Sequence, residues 1–112
     1  MSHHLNVRRA GRCAIVSGTG ELDAFAAPDL RAALRDAGEA EALVCDLSAA
    51  TFMDSTALGV VVGAFKRSRE AGSVFHVILP AGSARRVFEI TTLDRILPIA
   101  RSLEDALHES ES

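Results

Sequence analysis

Residues 43–65 read LVCDLSAATFMDSTALGVVVGAF, and this stretch decides the fold. Its first part, Leu43-Val44-Cys45-Asp46-Leu47, is a short apolar run between polar or small residues, the pattern of a strand buried on both faces. A loop is expected to run from there to Asp54. Beyond Asp54 the period changes. Leu58, Val61, Val62 and Phe65 fall on one helical stripe, Lys66, Arg67 and Arg69 load the last turns, and Gly72 offers a C-terminal stop. The basic cluster has a plain reading as a solvated helix end, where cations offset the dipole. A buried strand feeding an amphipathic helix is half of a crossover unit and points to a parallel sheet.

Working outward, Arg12 to Ser17 carries the β-branched Ile15 and Val16 and reads as a strand, closed by a Gly18-Thr19-Gly20 turn. An antiparallel partner is expected around Leu5 to Arg8. Pro28 suits a helix's first turn, and Leu30, Ala33, Leu34 and Ala37 then recur at helical spacing until Gly38. On the other side, Val74 to Leu79 is β-rich and stops at Pro80. A short helix is expected from about Ser83, with Val87, Phe88 and Ile90 inward and Arg85 and Arg86 outward. Ile96-Leu97-Pro98-Ile99 reads as an edge strand, because proline removes a ladder donor. A last helix runs from about Ser102 to His108. The expected architecture is a single α/β domain over residues 1–112, with a mixed, mostly parallel sheet of four to five strands and about four helices. Residues 1–4 and 109–112 read as flexible tails.

Composition narrows the function. With 112 residues and 48% hydrophobic content, the chain can bury a core without disulfides or a structural metal. A net charge of −3 gives no general attraction to phosphate backbones, and the five aromatics are all Phe, so nucleic acid is not an expected partner. No apolar run approaches the ~20 residues of a bilayer span and no basic-then-apolar leader opens the sequence, so membrane insertion is not expected and a cytoplasmic location is. Cys13 and Cys45 lie in apolar strands and read as small buried residues. His3 and His4 sit in the terminal stretch, and His76 and His108 lack ligand-like neighbours at helical spacing. No metal and no cofactor are assigned.

In open α/β sheets, functional groups collect outside the carboxyl ends of the strands. Thr51 to Gly59 falls there, with Asp54, Ser55 and Thr56 at a helix start. Any of the three suits a cap, since a side-chain oxygen there accepts a free first-turn N–H. Nucleophilic catalysis has little support: no histidine is placed beside Ser55, and a GxSxG elbow is absent. Gly18-Thr19-Gly20 is not followed by GK[ST], so it is no phosphate loop. An aspartyl-phosphate receiver would need an acidic pair after the first strand and a Lys after the last, and neither is present. Enzymatic activity is therefore not expected.

Gly20-Glu21-Leu22-Asp23, followed by Phe52-Met53-Asp54-Ser55-Thr56-Ala57-Leu58-Gly59-Val60, resembles the paired signature of the STAS domain family, in particular the bacterial anti-sigma factor antagonists. The resemblance covers nearly the whole chain. It implies a binding protein that engages an anti-sigma factor, itself a serine kinase of the histidine-kinase-like ATPase type, and so frees a sigma factor. It also implies that phosphorylation at Ser55 breaks the interaction and that a serine phosphatase restores it, with Thr56 the second choice of acceptor. Asp23, Asp54, Ser55, Thr56, Ala57 and Gly59 are the implied partner-binding residues. The family usually has Gly where this chain has Ala57, which implies an added methyl at a point of partner approach. Asp23 and Asp54 are expected at one end of the sheet, either orienting the Ser55 hydroxyl or serving as turn and cap carboxylates. Two other readings share the fold and act without phosphorylation: a STAS subunit of an ABC-type lipid-transport system, and a scaffold in a stress-sensing complex.

Overall fold

The structure is a computed structural model that describes residues 2–37, 40–80, 82 and 97–111. Its elements are β1 (His3–Ala10), β2 (Cys13–Leu22), α1 (Ala27–Asp36), β3 (Ala42–Asp46), β4 (Ala50–Met53), α2 (Ser55–Glu70), β5 (Val74–Ile78), β6 (Ile99–Ala100) and α3 (Leu103–Glu111). The helix expected from Ser83, with Arg85, Arg86, Val87, Phe88 and Ile90, lies outside the described residues, as does Ile96. Three helices are therefore seen among the described residues. The stretches 1–4 and 109–112, read as tails, are entered by β1 from His3 and by α3 as far as Glu111.

The strands form one mixed sheet in the order β1-β2-β3-β5-β6, with β4 also paired to β2. β1 runs antiparallel to β2, with Val7 opposite Val16, and the remaining pairings are parallel. Side chains alternate across a strand, so each inner strand supplies both faces. Ala14 and Val16 of β2, Leu43 and Cys45 of β3, and Phe75 and Val77 of β5 join the core beneath α1 and α2. Cys13 and Ile15, Ala42 and Val44, and Ile78 face the other way, onto Ala106, Leu103 and Leu107 of α3. The apolar run expected at 43–47 is thus a strand, at Ala42–Asp46, covered on both faces. Phe75 meets Phe65 of α2 edge to face, with ring centroids 5.8 Å apart, and Arg69 sits 5.4 Å from the Phe65 ring centre. One of the basic residues near the end of α2 is therefore spent on packing.

Both cysteines are buried, and neither is in a disulfide. Burial, and secondarily the neighbouring Asp46, pushes the Cys45 thiol up to about 12, so it stays protonated and is no nucleophile near neutral pH. Pro98 precedes the short edge strand β6, and its carbonyl accepts the Val77 N–H at 3.0 Å. A residue without an N–H is well suited to a place where only an acceptor is used.

Two expectations are corrected. Gly18-Thr19-Gly20 is not a turn, because β2 continues through it to Leu22. These glycines serve close approach. A Cβ on Gly18 would lie 3.0 Å from Leu47 Cδ2 and 3.1 Å from Leu5 Cδ2. Gly20 has φ +79°, with the ladder shifting register between it and Glu21. A Cβ there would collide with the Ser2 carbonyl, which accepts the Glu21 N–H at 3.2 Å. The second correction is the loop expected from Leu47 to Asp54, which contains β4, paired to the far end of β2.

Gly20→Ala should therefore lose more stability than the ~1–3 kcal/mol of a strained backbone alone. Gly72→Ala, at φ +75° with nothing within 4 Å of the new methyl, should lose only about 1–2 kcal/mol. Urea unfolding of the two variants checks this, and equal losses would remove the Ser2 contact from the account.

Candidate functional site

The site is built where β2 and β4 end side by side. Leu22 pairs with Met53, and the Leu22 carbonyl accepts the Asp54 N–H at 3.2 Å. The next residues on the two strands, Asp23 and Asp54, therefore leave the sheet together.

Each aspartate then starts a turn into a helix by the same device. Asp54 is the N-cap of α2 in extended conformation, and its Oδ1 accepts the N–H groups of Thr56 and Ala57, both at 3.0 Å. Its own carbonyl accepts the Leu58 N–H. Asp23 Oδ1 accepts the N–H groups of Phe25 at 3.0 Å and Ala26 at 3.1 Å, while its carbonyl takes Ala26 and Ala27. That turn leads into α1, whose own N-cap, Ala26, supplies no side-chain acceptor. Short carboxylates favour such positions because they satisfy amides the helix leaves orphaned.

Ser55 is the first residue of α2 and is exposed, as is Thr56. Among the described residues the Ser55 hydroxyl makes no hydrogen bond. Of the two readings of Asp23 and Asp54, the turn and cap roles are the ones seen, the Oδ1 of each accepting backbone amides, with no bond from either to the Ser55 hydroxyl among the described residues. Ala57 is wholly buried, so its methyl packs into the core and a partner could meet it only through neighbouring atoms. Gly59 is exposed, with nothing within 4 Å of where a Cβ would stand.

Two groups at this end had no signal in the sequence pattern. Phe25, in the turn held by Asp23, is 89% exposed, and Phe52 on β4 is 46% exposed. Neither belongs to an amphipathic period. Phe25 lines a cavity of about 430 Å³ with His3, Glu21 and Asp23. His3 Nε2 lies 2.7 Å from Asp29 Oδ2, tying β1 to the first turn of α1. The surface thus combines apolar rings, carboxylates and free hydroxyls. Among the described residues no group of His, Cys, Asp and Glu side chains could hold a metal ion, and no helix is long and apolar enough to cross a membrane.

Fold and site together define a small layered α/β domain that presents an uncommitted hydroxyl at a helix start beside exposed rings. The chain belongs to the STAS domain family, whose model matches residues 4–106. It is 42% identical over 82 residues to the anti-sigma-B factor antagonist of Listeria monocytogenes, covering 71% of this chain and 72% of that protein. With the anti-sigma-B factor antagonist of Bacillus subtilis it shares 33% identity over 106 residues, 93% of this chain and 96% of that one. The crystal structure of an anti-sigma factor antagonist from Mycobacterium paratuberculosis matches with a TM-score of 0.91 at 30% identity, over 99% of this chain and 96% of that chain.

The cap geometry sets a measurable cost. Asp54→Ala should lower the stability by about 1 kcal/mol, whereas Asp54→Asn keeps an acceptor oxygen and should stay within a few tenths of wild type. Urea midpoints distinguish the two. An Asn variant as weak as the Ala variant would mean that charge, not the bond to Thr56 and Ala57, is what α2 needs.

Proposed function

We propose that this chain is an anti-sigma factor antagonist that binds an anti-sigma factor serine kinase of the histidine-kinase-like ATPase type, releases the sigma factor, and is switched off by phosphorylation of Ser55. The observation that carries the reading is the exposed Ser55 hydroxyl at the first position of α2, beside a cap carboxylate already engaged with the backbone. The names borne by the Listeria monocytogenes and Bacillus subtilis relatives support the same class. The setting is the cytoplasm, where sigma factors and ATP are found.

The transfer is a simple displacement. The Ser55 oxygen bonds to the γ-phosphorus of ATP, the bridging bond to the β-phosphate breaks, ADP leaves, and the hydroxyl proton passes to a base on the kinase. The product adds about −1.5 to −2 charge at a helix N-terminus, where the dipole accepts an anion, so the domain stays folded. The surface does change. Asp54 is adjacent and Asp23 leaves the neighbouring strand, so the phosphate joins carboxylates and repels acidic groups on a docked partner. The exposed rings of Phe25 and Phe52 supply apolar contact area beside the switch. A serine phosphatase reverses the modification.

Incubation with the cognate kinase and Mg-ATP should add one phosphate by intact mass, and Ser55→Ala should abolish it. Uptake at Thr56 or elsewhere would overturn the site. Ser55→Glu should weaken kinase binding at least about tenfold, about 1.4 kcal/mol, with a circular dichroism spectrum near wild type. A melted variant would contradict the helix-start argument, and capture of an ABC transporter ATPase in place of the kinase would reverse the assignment.

Gly59 offers an independent probe of the surface. Its Cβ position is open, so Gly59→Ala should raise the stability by up to ~1 kcal/mol through helix propensity. Kinase binding measured by calorimetry should nevertheless fall, because the methyl stands where the partner approaches. Undiminished binding would remove Gly59 from the interface.

A further inference from the structure

A second cavity, of about 320 Å³, lies between the C-terminal ends of α1 and α2 and the start of β3, at the end of the sheet opposite Ser55. We propose that it is a binding site for a small aliphatic carboxylate, with the chain of the ligand in the cavity and its head on Arg35 and Arg67.

Leu34, Leu43, Ala64 and Ala71 supply the apolar wall, and Arg35, Arg67 and Ser68 the polar groups. The volume falls at the small end of the ~300–1,000 Å³ range of ligand pockets, which suits a medium-length acyl chain. An apolar wall with a few convergent polar groups is the usual composition of such sites.

The polar groups are uncommitted. Among the described residues neither Arg35 nor Arg67 is paired with a carboxylate, the ion pairs being His3 with Asp29 and Arg12 with Glu41. The Arg67 guanidinium folds back along α2, its Nη1 lying 3.5 Å from where a Gly63 Cβ would stand. Ser68 is only 8% exposed, yet its Oγ has no hydrogen-bond partner. Buried hydroxyls are nearly always paired, so an orphan beside a cavity points to a polar atom that the chain itself does not supply.

Two helix C-termini disfavour an anion, but each contributes only about half a negative charge, against two full positive charges. A carboxylate is the head that fits, because a guanidinium binds it through two parallel N–H···O bonds. The site is distinct from the switch: Ser68 and Ser55 are on the same helix and about 20 Å apart along it.

The test is a titration of the isotope-labelled full chain with sodium octanoate, followed by amide chemical shifts and kept below the concentration at which octanoate self-associates. Saturable shifts centred on Leu34, Ser68 and Ala71 support the site. Octanol, with the same body and no charge, should bind at least about tenfold more weakly. Arg35 and Arg67 are both exposed, so the Arg35→Ala, Arg67→Ala double variant should fold and lose octanoate affinity by a similar factor while its octanol affinity is unchanged. Ala64→Phe, which fills the cavity, should abolish binding of both. Three results would overturn the proposal: no saturable shift, shifts centred on Phe25 and Phe52 instead, or octanoate affinity indifferent to the two arginines.

Discussion

The pairing of one long strand, β2, with two short ones is the contact on which the site depends. Cys13 to Ser17 pairs with Ala42 to Asp46, and Gly20 to Leu22 pairs with Ala50 to Met53. β3 and β4 therefore lie end to end along β2, and two extra residues enter on their side between the two registers. Asp46 shapes that interruption, its Oδ1 accepting both the amide and the hydroxyl of Ser48. Gly20 makes the matching irregularity on β2. Without these adjustments β4 would not resume the ladder, and Asp23 and Asp54 would not emerge beside each other.

That strand arrangement was the least legible part of the fold. The continuous apolar run at 43–47, the helical stripe of α2 and the β-branched Ile15 and Val16 of β2 announce themselves in the sequence. Gly18 and Gly20 misled because glycine is the common answer to two different demands, a reversing turn and the close passage of another chain segment. Only the surrounding Leu5, Leu47 and Ser2 reveal which demand applies. β4 was hidden for another reason. It has four residues and, among the described residues, one strand neighbour, and Thr51 and Phe52 are both exposed, so no alternating pattern marks it.

At the site, Asp54 provides a helix cap and Asp23 a turn carboxylate, as the residue types allow. The sequence left open whether those carboxylates also hold the Ser55 hydroxyl. In the structure the Oδ1 of each carboxylate accepts two backbone amides, and among the described residues neither carboxylate bonds the Ser55 hydroxyl. Ser55 is exposed at the start of α2, and on the proposed function that exposure lets the kinase reach it. The exposure of Phe25 could not be read at all, because it follows from the turn that Asp23 holds and not from any periodic pattern.

Burial around α2 sorts the motif residues into two sets. Ala57 and Leu58 turn inward, while Ser55, Thr56 and Gly59 face outward. The Ala57 methyl is therefore a core feature and is not displayed on the surface. It works in favour of the site instead. Alanine favours the helical state over glycine by up to ~1 kcal/mol, and here it does so at the residue whose amide Asp54 caps. A stiffer first turn fixes the position of Ser55 more narrowly. On the proposed function, a phosphate on Ser55 then acts at one defined point, not over the range of positions a fraying helix end would sample.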